Sequence, residues 1–376
     1  MKYYIIAGEP SGDLHGSNLM KELKVQDQEA NFRFWGGDLM AAHGGEQVKH
    51  YRDTAFMGFF EVITHLGTIR KNFKFCETDI GKWSPDVVIL IDYPGFNLRI
   101  AEFAKKRGFK VFYYISPKLW AWNTKRVKKV KTYVDHMYTI LPFETDFYKK
   151  YNVEVDYCGN PVLDAVHSRD HKDEDWETFR NRNNLPDKPM IGILAGSRKQ
   201  ELNWILDDML SMVDLFPNHQ FVIAGAPSFT IADYQPYLKN RDVKILFGQT
   251  YEILQQAKTA MVTSGTATLE AGLLKCPQVV CYRMWGGGFT TWMRYNFIMK
   301  VPYISLVNLI LNREAVQELF QNKLTVESLE NELKKLLTDT EYQLTMMSDY
   351  DELIELMGKP GASKKAAQLM VKHLKN

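Results

Sequence analysis

The run "DVVILID" (Asp86–Asp92) carries five consecutive apolar residues between two aspartates. It is too short for a buried helix and has no polar alternation, so it reads as a strand covered on both faces. The turn "YPGFN" and the helical pattern "LRIAEFAKKRG" follow it. Similar runs recur before and after: "YYIIA" and "FRFW" with helical "GSNLMKELK" between them, then "KVFYYIS" and "HMYTIL". A second series begins at Met190 with "MIGILAG", "QFVIAGA", "VKILFG", "TAMVTSG" and "QVVCYRM". Apolar strands alternating with helices predict parallel sheets with helices on both faces. A chain of 376 residues is too long for one ordinary core. The expected fold class is therefore α/β, with two Rossmann-like doubly wound domains facing each other across a cleft. The polar, proline-flanked stretch 167–189 separates the two series and reads as an interdomain region with one short helix. The expected divisions are residues 1–166, 167–189, 190–345 and a helical tail over 346–376, whose helices can return to the first domain.

Composition excludes more than it identifies. Apolar residues make up 45% of the chain and charged residues 24%, with a formal net charge of +2. That is ordinary globular usage, and the total charge names no partner. The four cysteines, Cys76, Cys158, Cys276 and Cys281, show neither metal-ligand spacing nor a disulfide framework, and read as thiols in a reducing compartment. No run approaches the roughly 18 apolar residues of a membrane span. The first apolar run is too short for a secretory signal. A soluble or peripheral protein is expected.

Ligands of open α/β sheets sit beyond the carboxyl ends of the strands, and the candidate motifs fall at such ends. "AGEPSGDLHG" (Ala7–Gly16) has neither the dinucleotide glycine spacing nor the lysine of a P-loop. It reads equally as a capped turn or as a functional loop. Asp92, at the tip of a buried strand, is either a turn cap or a carboxylate whose partial burial suits a general base. In "LAGSRKQE", Gly196 and Ser197 open a helix with Arg198 at its mouth. Backbone N–H groups and a guanidinium would clamp a diphosphate there, although a surface ion pair would also account for the arginine. "TSGTATLEAG" starts a helix near Thr266, with Glu270 on the same face four residues on. Ser264, Gly265 and Thr266 could hold a diphosphate while Glu270 accepts ribose hydroxyls.

Two further stretches are less specific. "SPKLWAWNTKRVKKVK" mixes Trp120 and Trp122 with lysines, which suits anionic lipid, nucleic acid or a solvated helix face. No nucleic-acid-binding module surrounds it, so nucleic acid is discounted. The Phe-rich segment from Phe56 to Phe75, with Phe59, Phe60 and Ile63, reads as a buried helix or as a lipid-facing surface bordered by Arg70, Lys71 and Lys74. The same choice applies to Trp285–Lys300.

In this order, "AGEPSGDLHG", "MGFFEV", "IDYPGFN", "YYISPKLWAW", "LPFE", "GNPVLD", "LAGSRKQE", "TSGTATLE", "KCPQVVCYRM" and "VNLILNRE" resemble the lipid-A-disaccharide synthase family, from Ala7 to about Glu314. The resemblance implies a GT-B glycosyltransferase. It implies transfer of diacylglucosamine from UDP-2,3-diacylglucosamine to 2,3-diacylglucosamine 1-phosphate, giving a β-1,6-linked disaccharide phosphate and UDP. It places the work on the cytoplasmic face of the inner membrane, against that membrane's lipids. On this chain it makes Asp92 the base and puts Arg198 at the UDP diphosphate. It gives Glu270 and the Ser264–Thr266 turn to the UDP site, and Asn308 and Glu314 to the cleft lining. Ser11, Gly12 and Asp13 then fall to the sugar or acceptor side. No cofactor and no metal are expected, and the oligomeric state stays open. Two departures stand out: Gly95 replaces a second acid common in the family, and Ala195 replaces a proline before the "GSR". The rival readings are another GT-B enzyme on UDP-sugars, such as a UDP-N-acetylglucosamine epimerase, and a non-catalytic nucleotide- or membrane-binding protein.

Overall fold

The computed structural model describes residues 1–53, 66–121, 123–283 and 301–375. The chain divides into two compact units, residues 1–161 with 359–376, and residues 162–358.

The first unit is built on a seven-stranded parallel sheet: β1 (Lys2–Ala7), β2 (Asn31–Gly36), β3 (Glu46–His50), β4 (Val87–Ile91), β5 (Lys110–Tyr114), β6 (His136–Thr139) and β7 (Asp156–Tyr157). Their spatial order is β3-β2-β1-β4-β5-β6-β7, so the winding reverses between β1 and β4. Alternate residues of β1 serve the two faces. Tyr3 and Ile5 pack with Leu19, Met20 and Leu23 of α1 (Pro10–Gln26). Tyr4 and Ile6 pack on the other face with Cys76 and Ile80 of α2 (Leu66–Trp83), Ile100 and Ala101 of α3 (Pro94–Lys106), and Val130 of α4 (Val127–Tyr133). Buried on both sides, these strands can be continuously apolar, as the sequence has them.

The second unit has a six-stranded parallel sheet, β8 (Met190–Leu194), β9 (Gln220–Gly225), β10 (Lys244–Phe247), β11 (Thr259–Thr263), β12 (Gln278–Tyr282) and β13 (Glu318–Phe320). The order β10-β9-β8-β11-β12-β13 reverses between β8 and β11. Strands β3, β7 and β13 lie outside the runs named from sequence. The first is polar and sits at a sheet edge, and the other two have only two and three residues.

Two expected divisions are corrected. The stretch 167–189 is part of the second unit rather than a linker, because Phe179 of α5 (Trp176–Asn183) is fully buried among Met190, Val222 and Ile253. The tail also splits. In α6 (Thr266–Leu273), Gly272 lies against Tyr350 and Leu353 of α7 (Thr340–Met357), which keeps α7 on the second unit. Only α8 (Ala362–Lys375) joins the first, where Ala366, Ala367 and Met370 pack in the same cluster as α1. All four cysteines are free and buried. No helix among the described residues is long and apolar enough to cross a membrane.

Candidate functional site

In each unit two motifs flank the place where the strand order reverses, the position where open α/β sheets bind ligands. In the first unit Ala7 pairs with Ile91, so the loop after β1 and the tip of β4 are neighbours. Asp92 and Tyr93 both adopt left-handed backbone, at φ 43° and 49°. Non-glycine residues rarely hold this conformation unless their surroundings impose it. Here the imposition is visible. Asn97 Nδ2 donates to the carbonyls of Ile91 (3.1 Å) and Asp92 (2.8 Å), and Tyr113 Oη donates to the Asp92 carbonyl at 2.5 Å. The Asp92 amide donates to Tyr114 O. Gly8 leaves room for the Tyr93 ring, since a Cβ there would collide with it.

This clamp turns the Asp92 carboxyl into a half-buried position. Burial first, then the nearby Glu9 carboxylate, push it up to about 6, while Lys118 pulls the other way. An acid of that strength is ionised at neutral pH yet basic enough to take a proton. Were Asp92 the base of a reaction, the rate would fall with unit slope as pH drops through about 6 and the carboxylate is protonated. In Glu9→Gln that limb should move to lower pH, and in Lys118→Met to higher pH. A pH profile of kcat/KM checks both directions.

The loop "AGEPSGDLHG" is largely the first turns of α1. Ser11 is exposed there. Asp13 and Gly12 correct the expectation that they face a sugar. Asp13 is buried, and its carboxylate accepts from the amides of Gly37 (2.7 Å), Leu39 (3.2 Å) and Met40 (3.1 Å), which ties α1 to the turn after β2. Gly12 backs onto Ala7 rather than an open surface.

In the second unit Leu194 pairs with Val262, which brings the loops after β8 and β11 side by side. Gly196 has φ +97°, and a Cβ on it would meet the Glu201 side chain. That approach lets Glu201 Oε2 accept from the amides of Ser197 (2.9 Å) and Arg198 (3.1 Å). The expected amide cradle at Gly196 and Ser197 is thus filled by the chain's own carboxylate, leaving the guanidinium. Arg198 is 63% exposed and paired only loosely with Glu201, at 3.9 Å.

The end of α6 is open by contrast. Thr266 is exposed, and among the described residues no side chain caps this end and nothing lies within 4 Å of a Cβ position on Gly265. Ser264 Oγ donates to Ile304 O at 2.8 Å and so braces the loop. One turn along, Glu270 accepts a hydrogen bond from Tyr251 Oη at 3.2 Å, and burial raises its carboxyl. With one donor among the described residues, the carboxylate retains capacity for two vicinal hydroxyls.

Asn308 does not line a surface, which corrects its expected role. It is fully buried, its Oδ1 accepts from the amides of Ala315 (2.8 Å) and Val316 (2.9 Å), and its Nδ2 donates to Val316 O and Glu318 Oε1. Glu318 in turn accepts from the amides of Ile304 and Ser305. Asn308 therefore braces, through Glu318 and Ile304, the loop that carries Ser264. Asn308→Ala would strand several buried partners, each costing about 1–3 kcal/mol. Urea unfolding should report a loss of about 3 kcal/mol or more. Glu314 is exposed and accepts from Gln317 Nε2.

The basic stretch resolves by halves. Trp120 is core, donating to the buried Glu144, whose carboxyl burial pushes up to about 7. Lys125, Lys128 and Lys129 are exposed. Trp122, Phe59, Phe60, Ile63 and Trp285–Lys300 lie outside the described residues. Among the described residues, one group of side chains could hold a metal ion, His136, Asp156 and His373. Its members come from distant parts of the chain, which hid it from a spacing argument. The two imidazoles stack at 3.8 Å, and His373 Nδ1 bonds Tyr138 Oη. His136 and Asp156 begin their strands, so the group sits at the end of the sheet opposite Asp92.

The family model for lipid-A-disaccharide synthetase matches residues 3–373. The chain belongs to the lipid-A-disaccharide synthase family. A lipid-A-disaccharide synthase of Geobacter metallireducens is 34% identical over 376 residues, covering 98% of this chain and 96% of that protein. Two solved structures share the fold at 12% identity and a TM-score of 0.64. One is a UDP-GlcNAc 2-epimerase from Neisseria meningitidis bound to UDP-GlcNAc, covering 99% of this chain and 100% of that one. The other is the glycotransferase of kitacinnamycin, covering 99% of both. As a member of the lipid-A-disaccharide synthase family, the chain is a glycosyltransferase of GT-B fold that uses a nucleotide-sugar donor.

Proposed function

We propose that the chain transfers 2,3-diacylglucosamine from its UDP donor to the 6-hydroxyl of 2,3-diacylglucosamine 1-phosphate by a single inverting displacement. The observation that carries this reading is Asp92, a strained, half-buried carboxyl raised to about 6 at the switch point of its sheet. Asp92 takes the proton of the acceptor hydroxyl as that oxygen bonds to the anomeric carbon. The bond from that carbon to the UDP oxygen breaks, and its electron pair leaves with the diphosphate. Arg198 and the open end of α6 meet the leaving charge, and Glu270 takes the ribose hydroxyls. No cofactor takes part in this scheme. The acyl chains of both substrates put the work at a membrane surface, the cytoplasmic face of the inner membrane. An α-linked donor then gives a β-linked product. NMR of the isolated disaccharide should show a β linkage to O6, and an α linkage would exclude the single displacement.

A further inference from the structure

The first unit carries a groove that the reaction so far leaves unused. It runs along α3 and encloses about 580 Å³. Pro94 and Gly95 form one end, within three residues of Asp92. Along it lie four cations, Arg99, Lys106, Arg126 and Lys129, and two acids, Glu77 and Glu102. Their formal sum is +2, the complement of a phosphomonoester, which carries about −1.5 to −2 at neutral pH.

The cations are organised. Glu102 accepts from Lys106 Nζ at 2.7 Å and Lys129 Nζ at 3.1 Å, and these partners hold its carboxyl down at about 2. One carboxylate thus gathers two ammonium groups from neighbouring helices. The Arg99 guanidinium lies over the Phe73 ring at 4.2 Å, and Phe73 stacks on Phe96 at 4.4 Å. Planting the guanidinium on an aromatic pair limits its freedom, and among the described residues nothing occupies the N–H edge of this exposed side chain, which can meet a phosphate. With a rise of 1.5 Å per residue, Arg99 lies about 7.5 Å along α3 from Pro94. That reach suits a hexose whose hydroxyl is at Asp92 and whose anomeric phosphate points down the helix. Among the described residues, nothing lies within 4 Å of a Cβ position on Gly95. The glycine adds neither bulk nor negative charge at the entrance.

We propose that this groove is a phosphomonoester subsite that holds the anomeric phosphate of the acceptor sugar. The inference rests on the acceptor reading above. The test compares wild type and Arg99→Ala in detergent with two acceptors, 2,3-diacylglucosamine 1-phosphate and the same compound without its phosphate. A third arm measures flotation on vesicles of phosphatidylglycerol, which supplies phosphate as a lipid headgroup. Losing a charge-assisted contact should raise KM for the phosphorylated acceptor about 10- to 100-fold. KM for the donor, kcat, and KM for the unphosphorylated acceptor should stay within about twofold, and Arg99→Lys should recover part of the loss. Equal losses on both acceptors, or a loss confined to flotation, would overturn the subsite. If wild type releases no UDP with either acceptor, the acceptor reading itself fails, a separate result.

Discussion

Asp92→Asn is expected to lower kcat by about 10²- to 10⁴-fold, the usual contribution of a positioned general base, while leaving UDP affinity nearly unchanged. The substitution isolates the chemistry. Asparagine has the same shape and tolerates the left-handed backbone that Asp92 adopts at φ 43°. The bonds that impose this backbone run through the carbonyls of Ile91 and Asp92 to Asn97 and Tyr113, so they survive the change. What is lost is a carboxylate raised to about 6 by burial and by Glu9. The acid limb of the pH profile should vanish with it. Single-turnover rates, with calorimetry of UDP binding on the same protein, separate the chemical loss from any loss of binding.

Arg198→Ala should weaken UDP binding about 10- to 100-fold, the range for hydrogen bonds to a charged group, and should also lower kcat because leaving-group charge grows in the transition state. Stability should not change. The side chain is 63% exposed and its ion pair to Glu201 is long at 3.9 Å, a contact of little worth at a surface. The neighbouring amides of Ser197 and Arg198 are already bonded to Glu201. The loop therefore keeps its shape without the guanidinium. An unchanged UDP affinity by calorimetry would remove Arg198 from the diphosphate.

The parts legible in the sequence are those whose signal is local. Runs such as "DVVILID" and "MIGILAG" announce buried parallel strands, and the sequence order alone puts Asp92 at the end of β4 and Glu270 in the helix after β11. The residues misread, or read incompletely, are those whose partners lie far along the chain. Asp13 sits in a glycine-rich loop that resembles a binding turn, but its bonds go to residues 37–40. Asn308 sits in a family motif, but its polar atoms are spent on 315, 316 and 318. Glu201 follows the "GSR" by three residues, and spacing alone does not say that its carboxylate fills the amides a ligand would use. The helical tail shows the same limit: its amphipathic pattern predicts burial, but not that α7 covers the second unit and α8 the first.

Acceptor-dependent release of UDP tests the central claim most directly. Purified chain is incubated with UDP-2,3-diacylglucosamine, with and without 2,3-diacylglucosamine 1-phosphate, and free UDP is measured. The account predicts UDP release only when the acylated acceptor is present, in amounts equal to the disaccharide formed. UDP release that does not depend on the acceptor, or donor binding without any release, would contradict it.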